Sequence, residues 1–397
     1  MIKIAILGLG TVGTGVVKVV EANAAPIRHR LGEPLCVKTA LVRTMRSGPY
    51  HHLMTENFRE IETDSEIRVV VETIGGVGAA YEYTRRCLMA GKHVVTANKQ
   101  LVAEHGCELL ELARKNHVNY LFEASVGGGI PILHPLTQCM AANRVDEIYG
   151  ILNGTTNFIL TKMVKEGASF AEVLKLAQQK GYAEADPTAD VQGIDAGRKI
   201  CILADLAFGH QVNPNRVPME GITKLDLKDV EIAGRHGYRI KLLGRCLRLE
   251  GDRRTAYVAP HLIPMDNPIS DVNDVFNAVV VRGNATGEVM FYGKGAGELP
   301  TASAVVADVM ECILEDRPRP EIGWSADEGG FVSPLELKGR WYFRIDAPAE
   351  QVRPLFEKAR ILEEGRDTVL ITEPITGTEA EALAKKLPVL TCLRVLD

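Results

Sequence analysis

Gly8-Leu9-Gly10-Thr11-Val12-Gly13 is the feature that most restricts what this chain can fold into. The run Ile2-Lys3-Ile4-Ala5-Ile6-Leu7 before it reads as a buried strand, and Val16, Val17, Val19 and Val20 after it recur as on a helix. Each glycine at such a strand-to-helix turn has its own task. Gly8 permits the tight turn, Gly10 lets backbone approach a pyrophosphate, and Gly13 lets the helix pack on the strand. Free amides and the helix dipole would then favour phosphate at the helix N-terminus. The chain therefore begins as a dinucleotide-binding unit.

The pattern that follows fits one. Strand signals at Cys36 to Val42, Val69 to Val71, His93 to Thr96 and Tyr120 to Phe122 alternate with helical stretches at Tyr81 to Ala90 and Leu101 to Lys115. Strands alternating with helices predict a doubly wound parallel sheet, an α/β fold of Rossmann type. A domain selecting NAD usually ends its second strand with an acid for the ribose hydroxyl. Here Arg43 stands at that place, followed by Thr44, Met45 and Arg46, with no carboxylate before Glu56. Arginine grips a 2′-phosphate that a carboxylate would repel, so NADP is expected to be preferred over NAD. The alternative is that Arg43 and Arg46 are ordinary surface charges.

Beyond Gly127 the alternation stops, and an α+β region runs to about residue 320. It contains a long helix candidate, Pro187 to Phe208, opened by Asp186 as cap and Pro187 at the first position. Ala256 to Leu262 and Ala278 to Arg282 read as strands. Asp316-Arg-Pro-Arg-Pro-Glu reads as a linker. A small module follows, with strands at Trp341 to Ile345, Thr368 to Ile371 and Val389 to Val395 and helices at Ala349 to Arg360 and Glu379 to Lys386. The expected domains are 1–130 for the cofactor, 131–318 for substrate, catalysis and dimerisation, and 319–397 for linker and module. The helix near 300–315 is expected to return to the cofactor domain.

Composition narrows the function classes. Lys plus Arg number 46 against 51 Asp plus Glu, a net charge of −5 that argues against non-specific nucleic-acid binding. No apolar stretch reaches the ~18 residues of a membrane span. The eight cysteines include no Cys-x-x-Cys pair, which fits free thiols in a reducing cytoplasm and leaves no zinc signature. Cys392 is the thiol to watch under oxidation.

The most informative stretch is AQQKGYAEADPTADVQGIDAGRK, Ala177 to Lys199. Asp195 and Lys199 lie four apart and would share a helix face. Gly193 and Gly197, also four apart, would leave a smooth strip for a substrate or another helix. Glu184, Asp186, Asp190 and Asp195 concentrate acid here. A solvated helix with spaced ion pairs is the plainer reading, but the apolar continuation Ile200 to Phe208 argues for burial.

This stretch resembles the homoserine dehydrogenase signature at Gly181-Tyr182-Ala183, Asp186-Pro187, Asp190-Val191, Gly193, Asp195 and Lys199. Five further blocks agree in order: the N-terminal glycine motif, Thr96-Ala-Asn-Lys99, Glu123 to Pro131, Asn153-Gly-Thr-Thr-Asn157, and Gly293 to Gly297. The resemblance implies reversible, NAD(P)H-dependent reduction of L-aspartate 4-semialdehyde to L-homoserine. It implies Lys199 as proton donor, its pKa lowered by burial, with Lys99 beside the nicotinamide and Asp190 supporting Lys199. Substrate would be held by Glu184, Asp195, the backbone at Gly181, and Thr155. Cofactor contacts would fall on Gly8, Gly10, Thr11, Val12, Gly13, Arg43, Thr73, Lys99 and Gly297. A monovalent cation, sodium by its all-oxygen ligands, would sit at Glu123, through side chain or main chain, and the carbonyls of Val126, Gly128 and Ile130. From the residues alone, that loop reads as a glycine hinge.

The resemblance further implies a homodimer in threonine, methionine and isoleucine synthesis. The chain opens directly on the cofactor domain, so a monofunctional enzyme is expected. Residues 339–397 resemble an ACT module of βαββαβ order, but only three strands are visible. Ala347-Pro-Ala-Glu350 replaces the usual Pro-Gly turn. The module is therefore expected to serve assembly rather than threonine feedback. Two other readings are a related amino-acid or semialdehyde dehydrogenase and a non-catalytic NADP-binding sensor. The block ending at Lys199 argues against the first, and the presence of both lysines against the second.

Overall fold

The computed structural model describes residues 1–315 and 323–396. The linker expected at Asp316-Arg-Pro-Arg-Pro-Glu lies outside the described residues. The chain divides into two compact units. The first comprises Met1–Val145, Cys201–Pro214 and Gly283–Gly329, and the second Asp146–Ile200, Asn215–Arg282 and Gly330–Asp397.

Unit 1 is built on six strands: β1 (Ile2–Leu7), β2 (Leu35–Leu41), β3 (Met54–Thr55), β4 (Ile67–Glu72), β5 (His93–Thr96) and β6 (Tyr120–Leu121). They run parallel in the order β3-β2-β1-β4-β5-β6, so the chain reverses its direction of travel between β1 and β4. Ligands of open parallel sheets bind at such a switch point, beyond the carboxyl ends of the strands. The core places Ile4, Ile6, Val69, Val71 and Val95 of the sheet against Val16, Val17 and Val20 of helix α1 (Thr11–Ala22). The helix Glu298–Leu314 joins that core through Ala302, Val305, Val306 and Val309, so this late segment packs with the first 145 residues.

Unit 2 carries a mixed sheet. Its strands β7 (Val145–Ile151), β8 (Tyr238–Arg248), β9 (Arg254–Pro264) and β10 (Phe276–Gly283) lie in the order β10-β7-β8-β9. The sheet continues through Val389–Val395, Trp341–Ile345, Thr368–Ile371 and Arg360–Glu363. Val389–Val395 joins β9 in parallel, with Arg394 opposite His261 and Val395 opposite Leu262. The C-terminal residues thus extend the sheet that begins at Val145.

Three sequence expectations need correction here. The helix expected over Pro187 to Phe208 is two helices, Thr188–Val191 and Ile194–Phe208. Gly193 separates them at φ +81°, a left-handed conformation that side-chain-bearing residues rarely adopt. The strip of glycines is also filled by protein. A Cβ at Gly197 would strike the Met219 side chain, and one at Gly193 would come within 3.0 Å of Val258.

In the C-terminal module, the helix expected to Arg360 ends at Val352, because Pro354 lacks the amide a continuing helix needs. That frees Arg360–Glu363 to form the missing strand, which pairs antiparallel with Thr368–Ile371. The module therefore contributes four strands to the large sheet, in the order strand, helix, strand, strand, helix, strand, beside a separate antiparallel pair of Lys338–Gly339 with Ile375–Thr376.

Candidate active site

In unit 1, α1 starts on the glycine turn with Gly10 as cap and no side chain capping it. The first amides of the helix are left for an external acceptor. A Cβ at Gly10 would meet nothing within 4 Å, whereas one at Gly13 would collide with the Gly8 carbonyl. The turn is open in front and closed behind. Thr73, just past β4, donates its hydroxyl to the carbonyls of Gly8 (2.6 Å) and Leu7 (3.2 Å), bracing the turn from the next strand. A cleft of about 750 Å³ lies here, lined by Gly8, Gly10, Arg43, Arg46, Thr73 and Ile74 among others. These features fit a dinucleotide: bare backbone before the helix amides, and two exposed guanidinium groups beyond the second strand. Gly13→Ala is expected to weaken NADPH binding by about 10–100-fold through overpacking at Gly8. A fluorescence titration checks this, and an unchanged Kd would show that the turn can relax.

Arg46 also donates to the Leu9 carbonyl, lying across the glycine turn. Glu56, which lines the same cleft, accepts the Met45 amide at 2.7 Å and so fixes the Arg43–Arg46 loop. Lys99 lies three residues beyond the carboxyl end of β5. Strand β5 stops at Thr96, and Lys99 is the first residue of the helix Lys99–Lys115, capped by Asn98, whose side chain accepts the Leu101 amide.

The Glu123 carboxylate is occupied by protein. One oxygen accepts the amides of Ile132 (2.6 Å) and Leu133 (2.9 Å), the other that of His134 (2.6 Å). Burial pushes this carboxyl above its usual range, and the three amides pull it back. Three amides take up most of its lone pairs, which favours the main chain of Glu123 over its side chain as the cation ligand. Val126, Gly128 and Ile130 are buried, and among the described residues their carbonyls accept no hydrogen bond. Bare buried carbonyls suit a hard monovalent cation. Gly297 opens the helix Glu298–Leu314, and a Cβ at nearby Gly128 would strike the Gly295 carbonyl.

Unit 2 assembles the acids and the lysine. Lys199 is 8% exposed and Asp195 6%, and they form an ion pair of 2.7 Å along one helix face. Lys199 also donates to the Leu152 carbonyl at 2.7 Å. Asn153 completes the cluster. Its Oδ1 caps the helix Gly154–Glu166 by accepting the Thr156 amide, and its Nδ2 donates to Asp190 (2.7 Å) and Asp195 (3.0 Å). An ammonium and a carboxylate removed from water are costly unless paired and hydrogen-bonded, and these are both. Thr155 donates to the Tyr182 carbonyl at 2.6 Å, which brings it beside Gly181. Glu184 is exposed, and its main chain accepts from Gln178.

Sequence reasoning did not assign Asn153 a site role, although an asparagine before Gly-Thr-Thr is a helix-cap signal. It named Glu56 only as the first carboxylate after Arg43, and gave Glu72 no role.

An open glycine turn at a sheet switch point, with a water-excluded lysine–carboxylate cluster elsewhere in the chain, defines a dinucleotide-linked oxidoreductase. Family models narrow this class. The homoserine dehydrogenase NAD binding domain matches residues 8–123, and the homoserine dehydrogenase domain matches residues 131–310. The homoserine dehydrogenase of Pseudomonas aeruginosa is 45% identical, covering 100% of this chain and 93% of its own. That of Bacillus subtilis is 46% identical over 88% of this chain and 82% of its own. The crystal structure of a homoserine dehydrogenase from Thiobacillus denitrificans superposes with a TM-score of 0.92 at 38% identity, covering 100% of this chain and 98% of that one. A hyperthermophilic archaeal homoserine dehydrogenase in complex with NADPH matches at a TM-score of 0.66 and 27% identity, over 79% of this chain and 98% of its own. This chain belongs to the homoserine dehydrogenase family, oxidoreductases acting on a CH–OH group.

Proposed function

We propose that Lys199 transfers the proton in the homoserine dehydrogenase reaction and that NADP is the preferred cofactor. The buried Lys199–Asp195 pair, tied to Asp190 through Asn153, carries the first part of this reading. When bound, the dinucleotide supplies the hydride to the aldehyde carbon of L-aspartate 4-semialdehyde, or takes it back from L-homoserine. The carbonyl oxygen then needs a proton, and the Lys199 Nζ, shielded from bulk water, can give it and reclaim it in reverse. Asp195 and Leu152 aim the ammonium, and Asn153 fixes the carboxylates that neutralise it. Lys99 polarises the carbonyl. Glu184 and Asp195 provide negative charge for the substrate ammonium, beside Gly181 and Thr155, and Asp190 supports Lys199. Sodium is the cation proposed for the carbonyls of Val126, Gly128 and Ile130 with the Glu123 main chain.

Arg43 and Arg46 support the NADP preference because both line the dinucleotide cleft. Replacing both with alanine is expected to raise KM for NADP about 10–100-fold, the scale of a charge-assisted contact, and to move KM for NAD by less than about threefold. Nicotinamide absorbance on adding L-homoserine, with each cofactor in turn, reads both values. Equal losses with the two cofactors would remove the 2′-phosphate role. No homoserine-dependent reduction by the native chain would overturn the reaction itself.

The βαββαβ order supports an ACT-like module; with the missing strand found, only the Ala347-Pro-Ala-Glu350 turn still favours assembly over threonine feedback, and we propose a homodimer. The eight free cysteines are consistent with a reducing cytoplasm. Burial pushes the Cys392 thiol up to about 12, which makes it a poor nucleophile. Among the described residues no helix is long and apolar enough to cross a membrane.

A further inference from the structure

Glu72 ends β4 at the carboxyl edge of the parallel sheet and is fully buried. A buried carboxylate is tolerated only where its lone pairs are filled. Its Oε1 accepts the amides of Ile74 (2.7 Å) and Gly75 (3.4 Å), the first residues of the turn after Thr73. Its Oε2 accepts the Thr96 hydroxyl at 2.6 Å. The Thr96 oxygen in turn accepts the Asn98 amide at 2.9 Å, and Asn98 Nδ2 donates to the Gly76 carbonyl at 2.6 Å. The ring closes: strand end, turn, Asn98, Thr96 and back to the carboxylate.

Two elements of the dinucleotide site hang on this ring. On one side are Thr73 and Ile74, which line the cleft, with Thr73 bracing Gly8. On the other is Asn98, which caps the helix whose first residue is Lys99. We propose that Glu72 is a positioning residue for the dinucleotide, its carboxylate holding the turn after β4 and the start of the Lys99 helix in one fixed arrangement. This rests on the cofactor reading above but not on the identity of the substrate. Burial drives the Glu72 carboxyl above its ordinary range, and the hydroxyl and amides filling its lone pairs oppose that rise.

The test compares Glu72→Gln and Thr96→Val with the native chain by three measurements. These are amide exchange at Ile74 and Gly75 without cofactor, NADPH Kd by fluorescence, and KM for homoserine. Glutamine retains one acceptor oxygen and loses the other with the charge. Exchange at both amides is expected to rise and Kd to weaken, each about tenfold, the scale of one charge-assisted hydrogen bond. KM for homoserine should stay within about twofold, because Glu184, Asp195 and Thr155, the groups proposed to hold the substrate, belong to unit 2, and a displaced Lys99 is read in kcat instead. Thr96→Val should shift Kd in the same direction, and the double variant should be no worse than the poorer single one, since all break one ring. An unchanged Kd, with or without faster exchange or a lower Tm, would reduce Glu72 to a structural cap and overturn the proposal. If Glu72→Gln does not fold, Thr96→Val decides by the same Kd criterion. A native chain that binds NADPH but leaves homoserine unoxidised would fail the reaction reading and leave this one standing.

Discussion

Lys199→Ala is expected to lower kcat for homoserine oxidation about 10³-fold, within the range that positioned proton transfer contributes. The ammonium sits on Asp195 and the Leu152 carbonyl, and Asn153 fixes the carboxylates around it. Alanine removes the only group proposed to exchange a proton with the substrate oxygen, and water would have to enter in its place. NADPH Kd should stay within about twofold, because the glycine turn belongs to unit 1. The loss should therefore appear in kcat rather than in cofactor binding. Asp195 is left buried without its cation, so a modest fall in Tm is expected alongside. Retention of kcat within tenfold, in a variant that still binds NADPH, would assign the proton to another group.

The largest stability effect is expected at Arg344. Its guanidinium donates to both oxygens of Asp229, at 2.7 and 2.9 Å, and Asp229 is 0% exposed. Tyr342 and Thr391 donate to the same carboxylate at 2.8 and 2.7 Å. Asp229 lies on the helix Leu227–Arg235, whereas Arg344 and Thr391 come from strands of the C-terminal module, so the cluster ties that module to the body of unit 2. Arg344→Leu leaves a carboxylate uncompensated in the interior, at a cost of about 3–5 kcal/mol. Denaturant unfolding should show the midpoint falling accordingly. Arg344→Leu with Asp229→Ala should recover part of the loss, because no buried charge is then orphaned. A midpoint within experimental error of the native value would mean that water reaches Asp229 on relaxation.

Much of unit 1 was legible because its signals are local. The strand, glycine turn and helix lie within Ile2 to Ala22, and β2, β4, β5 and β6 were each marked by a short apolar run. The i, i+4 spacing of Asp195 and Lys199 likewise placed them on one helix face, although the ion pair they form there was not assigned: Asp195 was expected to serve the substrate and Asp190 to support Lys199. The break at Gly193 was less visible. Pattern alone does not distinguish a glycine tolerated inside a helix from one set at positive φ between two. Arg360–Glu363 escaped notice for another reason: it is an edge strand, and Arg-Ile-Leu-Glu has no alternation to reveal it.

By itself the sequence determined the cofactor unit, the lysine with its nearest acid, and the family, because each is written in residues a few positions apart. Only the tertiary structure decided what those residues rest on. Asn153 reaches acids 37 and 42 positions away, Glu72 meets Thr96 across 24, and Asp229 finds Arg344 across 115. Such partners are chosen by which strands and helices pack together. The requirement that every buried charge find a counter-charge or hydrogen bond is met across the fold, not along the chain.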